Sequence, residues 1–250
     1  MQHTYSSYVA VGDSFTEGVG DELPDGRVRG WADLVAIGLA HASDEPVGYA
    51  NLAIRGRLLA PIATEQMDAA IALHPALISI NGGGNDIMRP RVTISSIADQ
   101  LVDAAARAAA EGIHVVLASG ANPTRHIPMG ASIQKRGHQL ADAVRSHLPM
   151  ENVTFVDNWA DDELAELRYW SVDKLHLNPA GHMRVAGNVL AALGVAIPDV
   201  VVDDIAEAAR PRTAAYWRQY VLPWIGRRLT GRSSGDNREP KSATLQPVEL

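Results

Sequence analysis

The sequence predicts an α/β fold, a three-layer α/β/α sandwich in which helices cover both faces of a parallel sheet. Two observations carry this. Short, continuously apolar runs recur, such as Tyr8-Val9-Ala10-Val11, Ala76-Leu77-Ile78-Ser79-Ile80 and Val115-Val116-Leu117, as strands buried on both faces should read. Between them lie longer segments with helical periodicity. The clearest is Ile94 to Ala110, rich in Ala, with Ile97, Leu101, Val102 and Ala105 at helical spacing. Regular alternation of the two kinds of segment is the signature of a parallel sheet.

Strands are expected near 8–12, 47–51, 76–81, 113–118 and 153–157, and helices near 31–40, 59–73, 93–111, 130–147 and 179–193. Asn178-Pro179 marks the start of the last helix, with Asn as N-cap and Pro at the first helical position. Residues 1–200 therefore read as one domain. Beyond them, Arg210-Pro211 breaks a helical run, and residues 201–230 read as a helical extension. Its segment from Thr213 carries Tyr216, Trp217, Tyr220, Trp224 and Ile225 among several Arg, with Pro223 to kink or end it. Such a segment suits packing on the domain or on a second copy of the chain, a homo-oligomer, better than a membrane surface, because the chain as a whole is acidic. The polar residues 231–250 read as a disordered tail.

Charge narrows the function classes. The formal net charge of -7 argues against a nucleic-acid binder. With no Cys among the 250 residues, disulfide and thiolate chemistry are excluded. The N-terminus lacks a basic segment followed by a long apolar run, and no stretch approaches a membrane-spanning length. The expectation is a cytoplasmic protein without stable membrane insertion.

Four short blocks carry chemistry. Gly12-Asp13-Ser14-Phe15 follows the first strand and precedes a loop at Thr16-Glu17-Gly18-Val19-Gly20, so Ser14 stands where open α/β sheets place their reacting groups. Asn51-Leu52-Ala53-Ile54-Arg55-Gly56-Arg57 follows the second strand, and Gly56 there offers a bare backbone N–H. In Asn81-Gly82-Gly83-Gly84-Asn85-Asp86, after the third strand, Asn85 offers a neutral amide donor suited to a developing oxyanion. In Asp173-Lys174-Leu175-His176, an Asp three residues before a His can reach the imidazole from one short turn. A serine hydroxyl needs such a base and such an orienting group.

Taken in order, these blocks resemble the GDSL/SGNH hydrolase superfamily over residues 8 to about 193. Phe15 stands where the family name has Leu, at a position expected to point into packing. The resemblance implies a five-stranded, flavodoxin-like sheet and a serine esterase or lipase. It also implies a catalytic triad of Ser14, His176 and Asp173, and an oxyanion hole from the Ser14 and Gly56 N–H groups and the Asn85 amide. No metal or organic cofactor is implied, and the partner is a small-molecule ester. The expected reaction is acyl-enzyme hydrolysis of short-chain or acetyl esters, since only 5% of residues are aromatic and two are Phe. A lysophospholipase or thioesterase of the same fold fits the same residues. From another class, a flavodoxin-like protein could use the Ser14 loop for a ligand phosphate.

Other polar residues receive structural readings. His182 lies on the last helix and is assigned to packing or hydrogen bonding. His114, His126, His138 and His147 lack the spacing of a zinc site. Asp157, at a strand end, is the rival triad acid, set aside because Asp173 has the local geometry. Asp13 and Asp86 are assigned to holding turns. Arg55 either lines the mouth of the site or is a solvated surface residue.

Overall fold

A computed structural model describes residues 4–197, 218 and 235–250. Five parallel strands form in the expected places: β1 (Ser7–Val11), β2 (Gly48–Asn51), β3 (Leu77–Ile80), β4 (His114–Ala118) and β5 (Val153–Val156). The order across the sheet is β5-β4-β3-β1-β2-β6. The sixth strand, β6 (Ser242–Pro247), runs antiparallel to β2 at the edge.

The helices are α1 (Ser14–Glu17), α2 (Trp31–His41), α3 (Leu59–Pro61), α4 (Met67–Ala72), α5 (Gly84–Ile87), α6 (Ile94–Ala110), α7 (Gly130–Arg145) and α8 (Pro179–Ala192). A π-helical stretch, Ile62–Gln66, joins α3 to α4, so the single helix expected over 59–73 is one run with a wider turn inside it. Thr93 caps α6 by accepting from Ser96 N, and Asn178 caps α8 by accepting from Gly181 N, with Pro179 at the first position as expected.

The continuous apolar run of β1 has a direct cause: Tyr8, Val9, Ala10 and Val11 are all fully buried. Alternate side chains of a strand point to opposite faces. Tyr8 and Ala10 join α2 and α8 in one core, where Trp31, Val35, Val185 and Val189 pack. Val9 and Val11 join the other core, built with Met67 of α4, Leu101 of α6 and Leu140 of α7. Burial of that much aliphatic surface drives the fold at roughly 25 cal/mol per Å² removed from water.

One expectation is corrected. The polar composition of 231–250 predicts a disordered tail, yet residues 242–247 pair with β2 through backbone hydrogen bonds. An edge strand needs little apolar side-chain surface, because its ladder is made by the main chain. Leu245 and Val248 supply what apolar anchoring there is. Lys241 Nζ adds bonds of 2.8 Å to Asp33 Oδ2 and to Val28 O. The helical extension expected over 201–230 lies outside the described residues, apart from Arg218. Among the described residues, no helix is long and apolar enough to cross a membrane.

Candidate active site

Ser14 opens α1 directly after β1. Asp13 makes the turn by accepting Phe15 N at 3.0 Å, and Glu17 N returns to Asp13 O at 2.9 Å. The expected loop is thus a single helical turn. Phe15 points into packing against Trp31 and His182, with ring centroids 5.9 and 6.4 Å away. Asn51, at the end of β2, donates to Thr16 O at 3.1 Å and so ties this turn to the neighbouring strand.

Asp173 and His176 lie in a closed turn. Asp173 Oδ1 accepts from Ser171 Oγ at 2.7 Å and from the backbone N–H groups of Leu175 and His176, each at 2.9 Å. Its other oxygen, Oδ2, stands 2.6 Å from His176 Nδ1. On the far side of the ring, His176 Nε2 is 3.1 Å from Ser14 Oγ. Two groups 162 residues apart in sequence therefore meet at hydrogen-bond distance. Gly20 permits the approach: a Cβ there would fall 1.9 Å from Leu177 O, so only Gly lets the Ser14 loop lie against the His176 segment.

The electrostatics follow from that chain of contacts. Burial penalises the imidazolium of His176, but the hydrogen bond and charge of Asp173, with Asp13 behind them, outweigh it, and the pKa stands above the ordinary His value. Burial also works against the Asp173 carboxylate, yet its bonds to His176 hold it far below the usual range. Asp13, buried beside Ser14, is pushed up to about 6 by desolvation, against the bonds it accepts from Phe15 and Asn85.

Gly56 lines the same cavity and has φ +75, in the left-handed region that suits Gly. The residue before it is held firmly. Arg55 N donates to Glu17 Oε2 at 2.6 Å, while Arg55 Nε and Nη2 reach Glu17 Oε1 at 2.8 and 2.5 Å. Arg55 is thus neither a free mouth residue nor a solvated one; it is clamped to the Ser14 turn. Nothing in the sequence singles out Glu17, because no local pattern links it to a residue 38 positions on. Asn85 also lines the cavity, within α5. Its Nδ2 donates to Asp13 Oδ2 at 3.1 Å and to Arg57 O at 3.0 Å. The structure therefore draws Ser14, Gly56, Asn85 and His176 around one cavity of about 220 Å³, with Asp173 behind the imidazole.

The residues given structural roles are found in them. His182 is fully buried, with Nδ1 accepting Trp31 N and Nε2 facing Val19 O, both at 3.2 Å. Desolvation presses its pKa down to about 3. Asp157 accepts from Ser119 Oγ at 3.0 Å and pairs with Arg145, so it is engaged away from His176. Asp86 accepts Leu59 N at 2.9 Å and so also anchors the start of α3, 27 residues earlier in the chain. His114 sits between the hydroxyls of Tyr5 and Thr154. Among the described residues, no three His, Asp or Glu side chains gather as a metal site would require. A phosphate at the Ser14 loop would meet the buried side chain of Asp13, an unfavourable neighbour for an anion.

Comparison with solved structures places this geometry among known folds. The lipase Lip_vut3 from a goat rumen metagenome aligns with a TM-score of 0.63 at 20% identity, over 74% of this chain and 96% of its own. Axe2, an acetylxylan esterase from Geobacillus stearothermophilus, aligns with a TM-score of 0.58 at 21% identity, over 76% and 94%. TesA aligns with a TM-score of 0.60 at 25% identity, over 75% and 97%. Comparison with curated protein sequences gives no match. The sequence model of the GDSL-like lipase/acylhydrolase family matches residues 10–184, a span that runs from β1 through the first turns of α8 and takes in all four blocks. The chain belongs to that family and is a carboxylic ester hydrolase.

Proposed function

We propose that the chain hydrolyses carboxylic esters by two-step acyl transfer through Ser14. The observation that carries this reading is the continuous series Asp173–His176–Ser14, with contacts of 2.6 and 3.1 Å. Neutral His176 takes the proton of Ser14 as Oγ attacks the ester carbonyl, and Asp173 stabilises the imidazolium that forms. The carbonyl oxygen gains negative charge and meets the N–H groups of Ser14 and Gly56 and the amide of Asn85. One of the two Nδ2 contacts of Asn85 is then exchanged: the oxyanion replaces the Asp13 carboxylate as acceptor, and the bond to Arg57 O is kept. His176 gives its proton to the leaving alcohol. A water activated by the same ring then attacks the acyl-enzyme and releases the acid.

Glu17 and Arg55 support this scheme from behind. Their ion pair fixes the backbone just before Gly56, so the second oxyanion donor is set before substrate arrives. A preorganised donor loses no reorganisation energy at the moment of reaction.

Labelling with a fluorophosphonate tests the nucleophile. The reagent is expected to modify Ser14 alone, and Ser14→Ala is expected to fold and to lose both labelling and turnover. Mass spectrometry that places the label on Ser6, Ser79 or Ser119 would overturn the assignment.

A further inference from the structure

The cavity does not end at Ser14. It continues beneath α7, between that helix and the sheet. Ile133, Gly137, Leu140, Ala141 and Val144 face it from α7, at the spacing of one helical stripe. The opposite wall is made by Leu101 of α6, Leu117 of β4, Phe155 of β5 and Trp159. The only polar side-chain atom among these nine residues is Trp159 Nε1, which has no hydrogen-bond partner among the described residues, so a hydrocarbon entering here breaks no protein hydrogen bond. The polar side chains of the cavity, among them Asp13, Ser14, Asn81, Asn85, Ser119 and His176, come from other segments.

We infer that this apolar arm is the acyl-chain site, and that the preferred substrates are esters of linear, medium-length fatty acids. The inference rests on the acyl-enzyme reading of Ser14 and adds the substrate class to it. Protein interiors pack to crystal-like density, so a cavity of this size leading inward from a nucleophile is a place for a guest. Its walls are mostly aliphatic, with Phe155 and Trp159 the aromatic members, which is why a count of Phe, Tyr and Trp in the sequence points to short chains instead. Length follows from the stripe: Ile133 and Val144 both line the cavity and stand eleven residues apart on α7, about 16 Å along its axis at 1.5 Å per residue, so a chain lying along it is several carbons longer than acetate.

The test is a series of p-nitrophenyl esters from acetate through butanoate, hexanoate and octanoate to dodecanoate and hexadecanoate. In the wild-type chain, kcat/KM is expected to climb by roughly fourfold per added methylene from acetate through butanoate and hexanoate to octanoate. Ala141→Phe places a ring in the arm and is expected to lower the octanoate-to-acetate ratio of kcat/KM by about tenfold or more. The ratio is the readout, so a general loss of folded protein cancels. An octyl fluorophosphonate is expected to label wild-type Ser14 at least about tenfold faster than its ethyl analogue, which tests the arm without any variant. Acetate as the best ester, equal labelling by the two reagents, or an unchanged ratio in a folded Ala141→Phe would overturn the acyl-chain assignment while leaving ester hydrolysis at Ser14 in place. Failure of every ester together with no labelling of Ser14 would overturn the underlying reading as well.

Discussion

His176 and His182 flank the start of α8, one in the turn before it and one in its first turns, yet the protein uses the two rings in opposite ways. His176 keeps about a quarter of its side chain exposed and faces a carboxylate on one side and a hydroxyl on the other. His182 is fully buried and its ring nitrogens meet only backbone groups, Trp31 N and Val19 O. The first ring is poised to gain a proton, and the second is kept from gaining one. A histidine becomes a base when a negative partner offsets its desolvation, and a structural strut when none does. The same rule separates the carboxylates. Asp173 is hydrogen-bonded to the His176 ring and stays ionised, whereas burial, with Asp86 nearby, pushes Asp13 up to about 6.

The largest effects expected lie in the turn before α8, at His176 and Asp173. His176→Ala should lower kcat by about 10⁶, as loss of a triad base does. In His182→Ala, the folded fraction should keep turnover near the parent's. A steady-state assay on both, normalised to folded protein by circular dichroism, checks the contrast, and inversion of the two results would break it. Asp173→Asn should cost about 10⁴ in kcat with little loss of fold, because the amide favours the wrong imidazole tautomer.

Across the cavity, Asn85→Ala should lower kcat by about 10²–10³ at nearly unchanged KM. Asn85→Asp should be at least as poor, since a second carboxylate beside Asp13 repels the developing charge. If Asn85→Ala instead melts far below the parent and its folded fraction turns over normally, the residue only holds the turn against Asp13 and Arg57.

Smaller and purely thermodynamic effects are expected at His182. Removing its ring leaves Trp31 N and Val19 O buried without partners, at a cost of about 1–3 kcal/mol, visible as a lower Tm. pH separates the two rings further. For His176 the neutral form is active, so kcat/KM should rise with pH through an inflection above the ordinary His value of 6.5. For His182 the folded pKa of about 3 lies below the unfolded 6.5. The unfolded chain then binds more protons in that interval, so this contribution to stability is whole above pH 6.5 and is lost as pH falls toward 3. Asp13 acts in the opposite sense over a narrower window, because its pKa is raised: its contribution is whole below about 3.8 and is lost as pH rises through about 6. Thermal melts of wild type and His182→Phe between about pH 4 and 7 should show the acid-side loss reduced in the variant.

Much of this site is legible in the sequence because its parts are local. The Asp173–His176 contact spans three residues, and the Asn178-Pro179 cap and the Asp13 turn are equally short-range. Such contacts are set by backbone geometry that a few side chains specify. The five parallel strands are legible for a related reason: a strand buried on both faces must be apolar throughout, and β1, β3 and β4 nearly are. The edge strand β6 carries no such continuous run: Ser242, Thr244 and Gln246 alternate with Ala243, Leu245 and Pro247, a short alternation inside an otherwise polar stretch, and the pairing to β2 is made by the main chain.

Periodicity and neighbours a few positions away are enough to specify the layered α/β architecture, the order of the four blocks and the pairing of Asp173 with His176. Packing in three dimensions decides the rest: which face of the Ser14 turn meets His176, that Glu17 grips Arg55 and so steadies Gly56, that Asn85 answers to Asp13, and that an apolar arm opens beneath α7. Those contacts join segments tens to well over a hundred residues apart. Their geometry comes from how strands order themselves in the sheet and how helices pack on it, and no local pattern along the chain encodes that.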